Sequence, residues 1–287
     1  MAAPDLPRLL RVGVAKLASC DGCQLTLLGL GPLLLELGQR FELVEFPEAS
    51  SNRSAGPYDV LLVEGSVSDA AQAEHIRALR ARTAVLATIG TCATFGGIQA
   101  LRNWAMSDIS GSVYSRPEEI DVLPTSTPIA EHVTVDVHLT GCPIDGGQLL
   151  ELLTAVAVGR RPQLPDEAVC GTCKRLGRVC VVVARGEACL GPVTRTGCGA
   201  ICPGMDRGCY GCFGPREQAN VEGLAADMAL RGDDTATIAR RLAGFTAWAP
   251  EFRAAINARG GPPGFPVSAA TLTSRSAAEE QGHGPRA

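Results

Sequence analysis

Eight cysteines crowd into the stretch from Cys170 to Cys212, and four more stand apart at Cys20, Cys23, Cys92 and Cys142. Nothing else in the 287-residue chain narrows its possible structure so far. Disulfides would need an oxidising compartment. From Met1 to Gly13 there is no apolar core ahead of a small-residue cleavage site and no twin arginine before one, so the sequence predicts a cytoplasmic chain with reduced thiols. Reduced thiols in such numbers ask for metal. The crowded stretch is also rich in Gly and poor in apolar material, so an inorganic centre is expected to hold it together.

Composition removes several other classes. Apolar residues make up 46% and charged residues 20%, an ordinary globular mix. The formal charge of −4 and the lack of any long Lys/Arg run argue against a nucleic-acid partner. The longest nearly apolar stretch, Leu25 to Leu35, is too short to span a bilayer and is broken by Gly and Pro, so no membrane partner is expected.

The first half alternates strand and helix. Arg11 to Leu17, Phe41 to Phe46, Tyr58 to Val63, Thr83 to Ile89 and Val133 to Leu139 read as strands, with an apolar segment from Gln24 to Leu37 after the first. Helices are expected from Asp69 to Arg82, opening at Ser68 or Asp69, and from Gly146 to Val158. This order implies an α/β fold with a doubly wound parallel sheet. Met106 to Thr134 reads as a surface excursion. Pro162 and Pro165 mark a linker into the cysteine-rich region, and helical periodicity returns from Asn220, with Asp234 or Thr235 capping a helix that runs to Ala243. The expected division is 1–161, 162–219, a helical segment 220–259 and a loose tail 260–287.

Cys20, Cys92 and Cys142 each follow a predicted strand, and the carboxyl ends of parallel strands share the edge where open α/β sheets bind ligands. With Cys23 they make four thiolates on one edge, which suits tetrahedral zinc or a [4Fe-4S] cube. The flanking Gly22, Gly90, Gly96, Gly97 and Gly141 leave room for backbone N–H groups to approach sulfur. The later eight follow the pattern Cys170-x2-Cys173-x6-Cys180-x8-Cys189-x8-Cys198-x3-Cys202-x6-Cys209-x2-Cys212, twice the four that a tetrahedral site needs. The four histidines, His75, His132, His138 and His283, all lie outside that block, so all-cysteine ligation is implied. A pair of structural zinc sites is the competing reading; three sites in a row make sense as an electron path. Gly29-Leu30-Gly31 lacks the third glycine of a dinucleotide loop, since Leu34 stands there.

The motifs Ala18-Ser19-Cys20-Asp21-Gly22-Cys23-Gln24-Leu25, Val63-Glu64-Gly65, Gly90-Thr91-Cys92-Ala93 and Thr140-Gly141-Cys142-Pro143 together resemble the signature of [NiFe]-hydrogenase small subunits. Cys189-Leu190-Gly191-Pro192 through Gly208-Cys209-Tyr210-Gly211-Cys212 is similar to the NAD(P)-linked branch, where the chain is called the delta subunit. The resemblance covers Val12 to Pro215. It implies a flavodoxin-like domain, then a small loop-rich iron–sulfur domain and a short helical tail. It also implies three [4Fe-4S] clusters: proximal on Cys20, Cys23, Cys92 and Cys142; distal on Cys170, Cys173, Cys180 and Cys189; medial on Cys198, Cys202, Cys209 and Cys212.

In the family, many periplasmic relatives use a His at the distal cluster and three cysteines at the medial one; the resemblance implies that Cys170 and Cys202 fill those roles here. The extra proximal cysteine of oxygen-tolerant types is absent, because Gly22 lies between Asp21 and Cys23. The implied function is an electron-transfer subunit of a bidirectional hydrogenase. The implied partners are a large (alpha) subunit holding the nickel–iron site and iron–sulfur and FAD/NAD(P)-binding diaphorase subunits. Glu64 is read either as a solvated or capping carboxylate or as a proton-relay group. A deazaflavin- or heterodisulfide-reductase-linked hydrogenase, a zinc scaffold and a complex I type subunit are the alternatives; the last has adjacent cysteines where this chain spaces Cys20 and Cys23 by two residues.

Overall fold

The computed structural model describes residues 8–104 and 114–262. Five strands, β1 (Leu10–Lys16), β2 (Phe41–Glu45), β3 (Tyr58–Glu64), β4 (Thr83–Ile89) and β5 (Val137–Leu139), form one sheet in the order β2-β1-β3-β4-β5. Every pairing is parallel. The first half adds the helices α1 (Gly22–Leu28), α2 (Pro32–Leu37), α3 (Ala70–Arg80), α4 (Thr91–Phe95) and α5 (Gly146–Ala157). This is the flavodoxin-type strand order, with the chain reversing direction across the sheet between β1 and β3.

The central strand shows why the sheet is covered on both sides. In β3, Val60 and Leu62 join the core beneath α1 and α5, with Val12, Leu27 and Leu149. Leu61 and Val63 face the other way, against Ile76 and Leu79 of α3. A strand buried on both faces carries a continuous apolar run, which is what Tyr58–Glu64 is. The α3 cap is Asp69, whose side chain accepts from Gln72 N at 2.7 Å.

Two expectations change in extent. The Gln24-to-Leu37 run is split, because Gly31 at φ 55 and Pro32 end one short helix and begin another. The strand expected over Val133 to Leu139 pairs only through its last three residues. Upstream, residues 129–131 form a 3-10 turn, and the Asp136 carboxylate takes the Leu86 N–H at 2.8 Å in the place of strand backbone. The stretch 106–113 of the expected surface excursion and residues 263–287 of the expected tail lie outside the described residues.

Beyond α5 the chain makes three short helices, α6 (Val169–Arg175), α7 (Val181–Arg185) and α8 (Ile201–Gly204), separated by loops. It then forms α9 (Val221–Leu230), α10 (Thr235–Leu242) and α11 (Pro250–Asn257). These last helices fold back onto the 3-10 segment Ile98–Trp104 that follows α4. Trp104 and Trp248 meet edge to face at 4.8 Å, and Trp104 Nε1 donates to Asn257 Oδ1 at 2.8 Å. Leu190 and Val193 share that core, so the cysteine-rich loops are held between the sheet and the C-terminal helices. No described helix is long and apolar enough to cross a membrane.

Candidate metal centres

Parallel strands deliver the first four cysteines to one edge. Beyond β1, an isolated bridge between Ala18 and Ser66 fixes the loop that carries Cys20. Asp21 then turns the chain in the left-handed region (φ 68), held by Lys16 Nζ at 2.5 Å. Cys23 therefore points inward from the first turn of α1 and is buried, whereas Cys20 stays exposed. The β4–β5 ladder continues past the strand ends: Gly90 N donates to Leu139 O and Thr91 N to Gly141 O, both at 2.8 Å. That places the loops of Cys92 and Cys142 side by side.

Glycine makes the close approach possible. A Cβ on Gly90 would stand 2.4 Å from Cys23 Sγ, and one on Gly97 would stand 2.6 Å from Cys92 Sγ. Burial pushes the Cys92 thiol up to about 11, with Cys142, Cys20 and Glu64 adding negative charge around it. The Cys142 thiol is raised by burial and by Cys20 and Glu64. Burial also lifts the Cys23 thiol, further raised by Glu64, Cys92 and Cys142.

Glu64 is not solvated, and of its expected readings the capping one holds: it takes a free N–H in the first turn of α1. It is 2% exposed at the end of β3 and accepts from Cys23 N at 3.1 Å and from Gln24 Nε2 at 2.9 Å. Burial pushes its carboxyl up against the lowering effect of those two donors. Gln24, fully buried, also reaches Asp21 Oδ1 at 3.3 Å, so a polar brace runs beneath the Cys20–Cys23 turn.

The later eight cysteines lie close together, with Cys189 near Cys170 and Cys173 on one side and near Cys202 and Cys209 on the other. Cys170 is surrounded by Cys189, Cys173 and Cys180, each of which would raise its thiol beyond what burial does, and Cys173 is likewise flanked by Cys189 and Cys180. These four line one cavity of about 270 Å³ under Val181 and Met228. A Cβ on Gly191 would meet Cys189 Sγ at 3.2 Å and Cys170 Sγ at 3.5 Å. On the other side, burial drives the Cys212 thiol to about 12, with Cys198, Cys142 and Cys202 adding to the shift. Cys209 is raised to about 12 by burial, then by Cys189 and Cys212.

The cysteine loops touch in series. Thr91, next to Cys92, donates its Oγ1 to Cys212 O at 2.6 Å, and Cys142 lies close enough to raise the Cys212 thiol. At the next junction, Cys209 N donates to Cys189 Sγ at 3.2 Å. Gly191 N approaches Cys189 Sγ, and Gly211 N approaches Cys209 Sγ, both at 3.4 Å.

This donor set fits cubes: thiols in fours, glycine-lined, with amide N–H groups aimed at sulfur. Among the described residues, no three His, Cys, Asp or Glu side chains close around a point as ligands of one metal ion. Gln24, Thr91 and the amide of Cys209 were not singled out from sequence. For Gln24 the available signal was a polar residue standing within an apolar helical run.

A family model described as "NADH ubiquinone oxidoreductase, 20 Kd subunit" matches residues 20–156. Sulfhydrogenase 2 subunit delta of Pyrococcus furiosus is 36% identical over 83% of this chain and all of its own length. A vhu subunit of the F420-non-reducing hydrogenase of Methanocaldococcus jannaschii is 31% identical over 81% of this chain and 94% of that protein. Among solved structures, an NAD+-reducing [NiFe]-hydrogenase in the H2-reduced state superimposes with a TM-score of 0.51 at 30% identity. The match spans 55% of this chain and 96% of that one. An actinobacterial-type NiFe-hydrogenase from Ralstonia eutropha H16 shares the fold at a TM-score of 0.53 and 16% identity, over 97% of this chain and 92% of that one. A sheet edge bearing Cys20, Cys23, Cys92 and Cys142 and 36% identity across the whole of a delta subunit agree: this chain belongs to the [NiFe]-hydrogenase small-subunit family, on the branch of the sulfhydrogenase delta subunits.

Proposed function

We propose that this chain conducts electrons between the nickel–iron centre of a hydrogenase large subunit and an NAD(P)/flavin-binding partner, through three [4Fe-4S] clusters. It is an iron–sulfur subunit of a hydrogenase, and hydrogen is split or formed on the large subunit. The proximal cluster takes Cys20, Cys23, Cys92 and Cys142, the medial Cys198, Cys202, Cys209 and Cys212, and the distal Cys170, Cys173, Cys180 and Cys189. Bound there, each cube supplies a one-electron carrier whose potential is tuned by burial and by hydrogen bonds to sulfur. The division into 1–161, 162–219, 220–259 and 260–287 belongs to the same reading, as does a cytoplasmic setting.

The observation that supports it best is a series of contacts, Thr91 beside Cys92 to Cys212 and Cys209 to Cys189, which run in the order the relay requires. The chain itself anchors, shields and spaces the carriers. Leu25 and Ile98, 55% and 50% exposed beside the first group, suit cover by the large subunit. Iron and labile sulfide in anaerobically purified complex should each come to about twelve per chain. About three zinc per chain and no visible absorbance would make it a zinc scaffold. Hydrogen-dependent reduction assayed with NADP, NAD and a deazaflavin identifies the acceptor.

A further inference from the structure

A cleft of about 630 Å³, adjoining the cavity of Cys170 across Cys189, opens between the C-terminal end of α10 and the loop at Arg207. Its floor holds Cys189 and Cys209, both buried, and its walls carry Arg207, Arg240 and Arg241 beside Tyr210 and Phe245. Thr246 Oγ1 donates to Gly211 O at 3.0 Å, which pins the chain after α10 onto the loop carrying Cys209 and Cys212.

The charge in this cleft runs against the chain, whose formal charge is −4. Three guanidinium groups face a single carboxylate, Glu187, on the cleft wall. Arg241 is neutralised by Asp233 at 3.0 Å. Arg207 hydrogen-bonds the phenol of Tyr210 at 3.4 Å and has Glu187 nearby but outside ion-pair distance, and Arg240 takes no hydrogen bond or ion pair among the described residues. The C-terminal dipole of α10 accounts for part of the preference for Arg at 240 and 241. It does not account for Arg207, which lies on a loop. At Arg207 and Arg240, guanidinium forks with no carboxylate in hydrogen-bonding range are suited to carboxylates held bidentately, and a basic field steers an acidic protein toward its docking site.

We propose that this cleft receives an acidic segment of the protein that exchanges electrons with this chain, docking it above the junction of the second and third cysteine groups. The proposal rests on the relay reading above. The occupant follows from charge complementarity and size: a cleft of this volume takes several side chains, and its floor is formed by two of the thiol-bearing residues through which the relay would run.

The test uses the full chain, purified anaerobically with its large subunit, and a fluorescein-labelled deca-glutamate peptide as probe. Anisotropy should show binding that weakens at least tenfold as salt rises from low to high. The pair Arg207→Glu with Arg240→Glu should lose at least tenfold in affinity at low salt, whereas the distant exposed pair Arg53→Glu with Arg116→Glu should bind as the parent does. Equal binding by the cleft variant, or equal loss in the distant pair, overturns the proposal. Arg207→Gln with Arg240→Gln, checked by melting temperature and visible absorbance, carries the test if charge reversal impairs folding; it should bind more weakly than the parent, and parental affinity overturns the proposal. Hydrogen-driven reduction of benzyl viologen by the same parent preparation tests the relay independently. Its absence would sink the relay reading and leave the peptide result standing by itself.

Discussion

Gly90 stands where the edge of the sheet has no room for a side chain. Its φ of 87 and the 2.4 Å approach of a built Cβ to Cys23 Sγ mean that Gly90→Ala must displace that thiol. The expected result is loss of about four iron atoms per chain and of one paramagnetic signal on reduction. Gly159→Ala has φ 68 but open space around it, and should keep its full iron content. A second residue-scale outcome concerns His132, whose Nε2 lies 2.8 Å from Thr127 Oγ1. Burial, then Arg77, holds this imidazole below its ordinary value of 6.5. The unfolded chain therefore takes up the proton first, and this contribution to stability, full above that value, is lost as pH falls through the folded pKa. His132→Gln should flatten the decline in denaturation midpoint between roughly pH 7 and 5. At this scale the thiols were legible because few side chains hold soft metals. Gln24 and Thr91 were not, because a polar side chain announces its partner only after the chain has folded.

Helices and strands were legible where one physical signal acted alone. Tyr58–Glu64 is a continuous apolar run and is buried on both faces. Asp69 and Asp234 each precede a helix and accept the N–H of the residue three positions on, at 2.7 Å. Asp69→Ala and Asp234→Ala should each cost about 1 kcal/mol, seen as a fall of ~2–4 °C in Tm, while asparagine at either position should retain most of it. Signals that competed were harder to resolve. Gln24 to Leu37 is apolar enough for one helix, yet Gly31 and Pro32 divide it, and β5 is shortened because Asp136 spends its carboxylate on Leu86 N. The helices α6, α7 and α8 have seven, five and four residues, too short for periodicity to declare them.

Over the whole molecule, apolar burial is unevenly shared. The sheet has extensive cores on both faces, whereas the core among the cysteine-rich loops amounts to Val169, Val181 and Ala200 together with Cys189 and Cys209. Stripping iron with a chelator under reducing conditions should therefore raise hydrogen exchange across 169–212 toward unfolded rates, while Val60 to Val63 remain protected. Comparable protection in both regions after iron loss would mean that the loops stand without inorganic support.

On the proposed partition the amide of Cys209 belongs to one thiol quartet while it donates to Cys189 Sγ of the next, at 3.2 Å. Adding an electron on either side of that shared peptide changes the electrostatic field felt on the other, so the two centres should not accept charge independently. A voltage titration followed by paramagnetic resonance should show the second uptake displaced to lower potential by the first. Cys209→Ser keeps the peptide and weakens only its own quartet. The neighbour should then titrate as a single, undisplaced step.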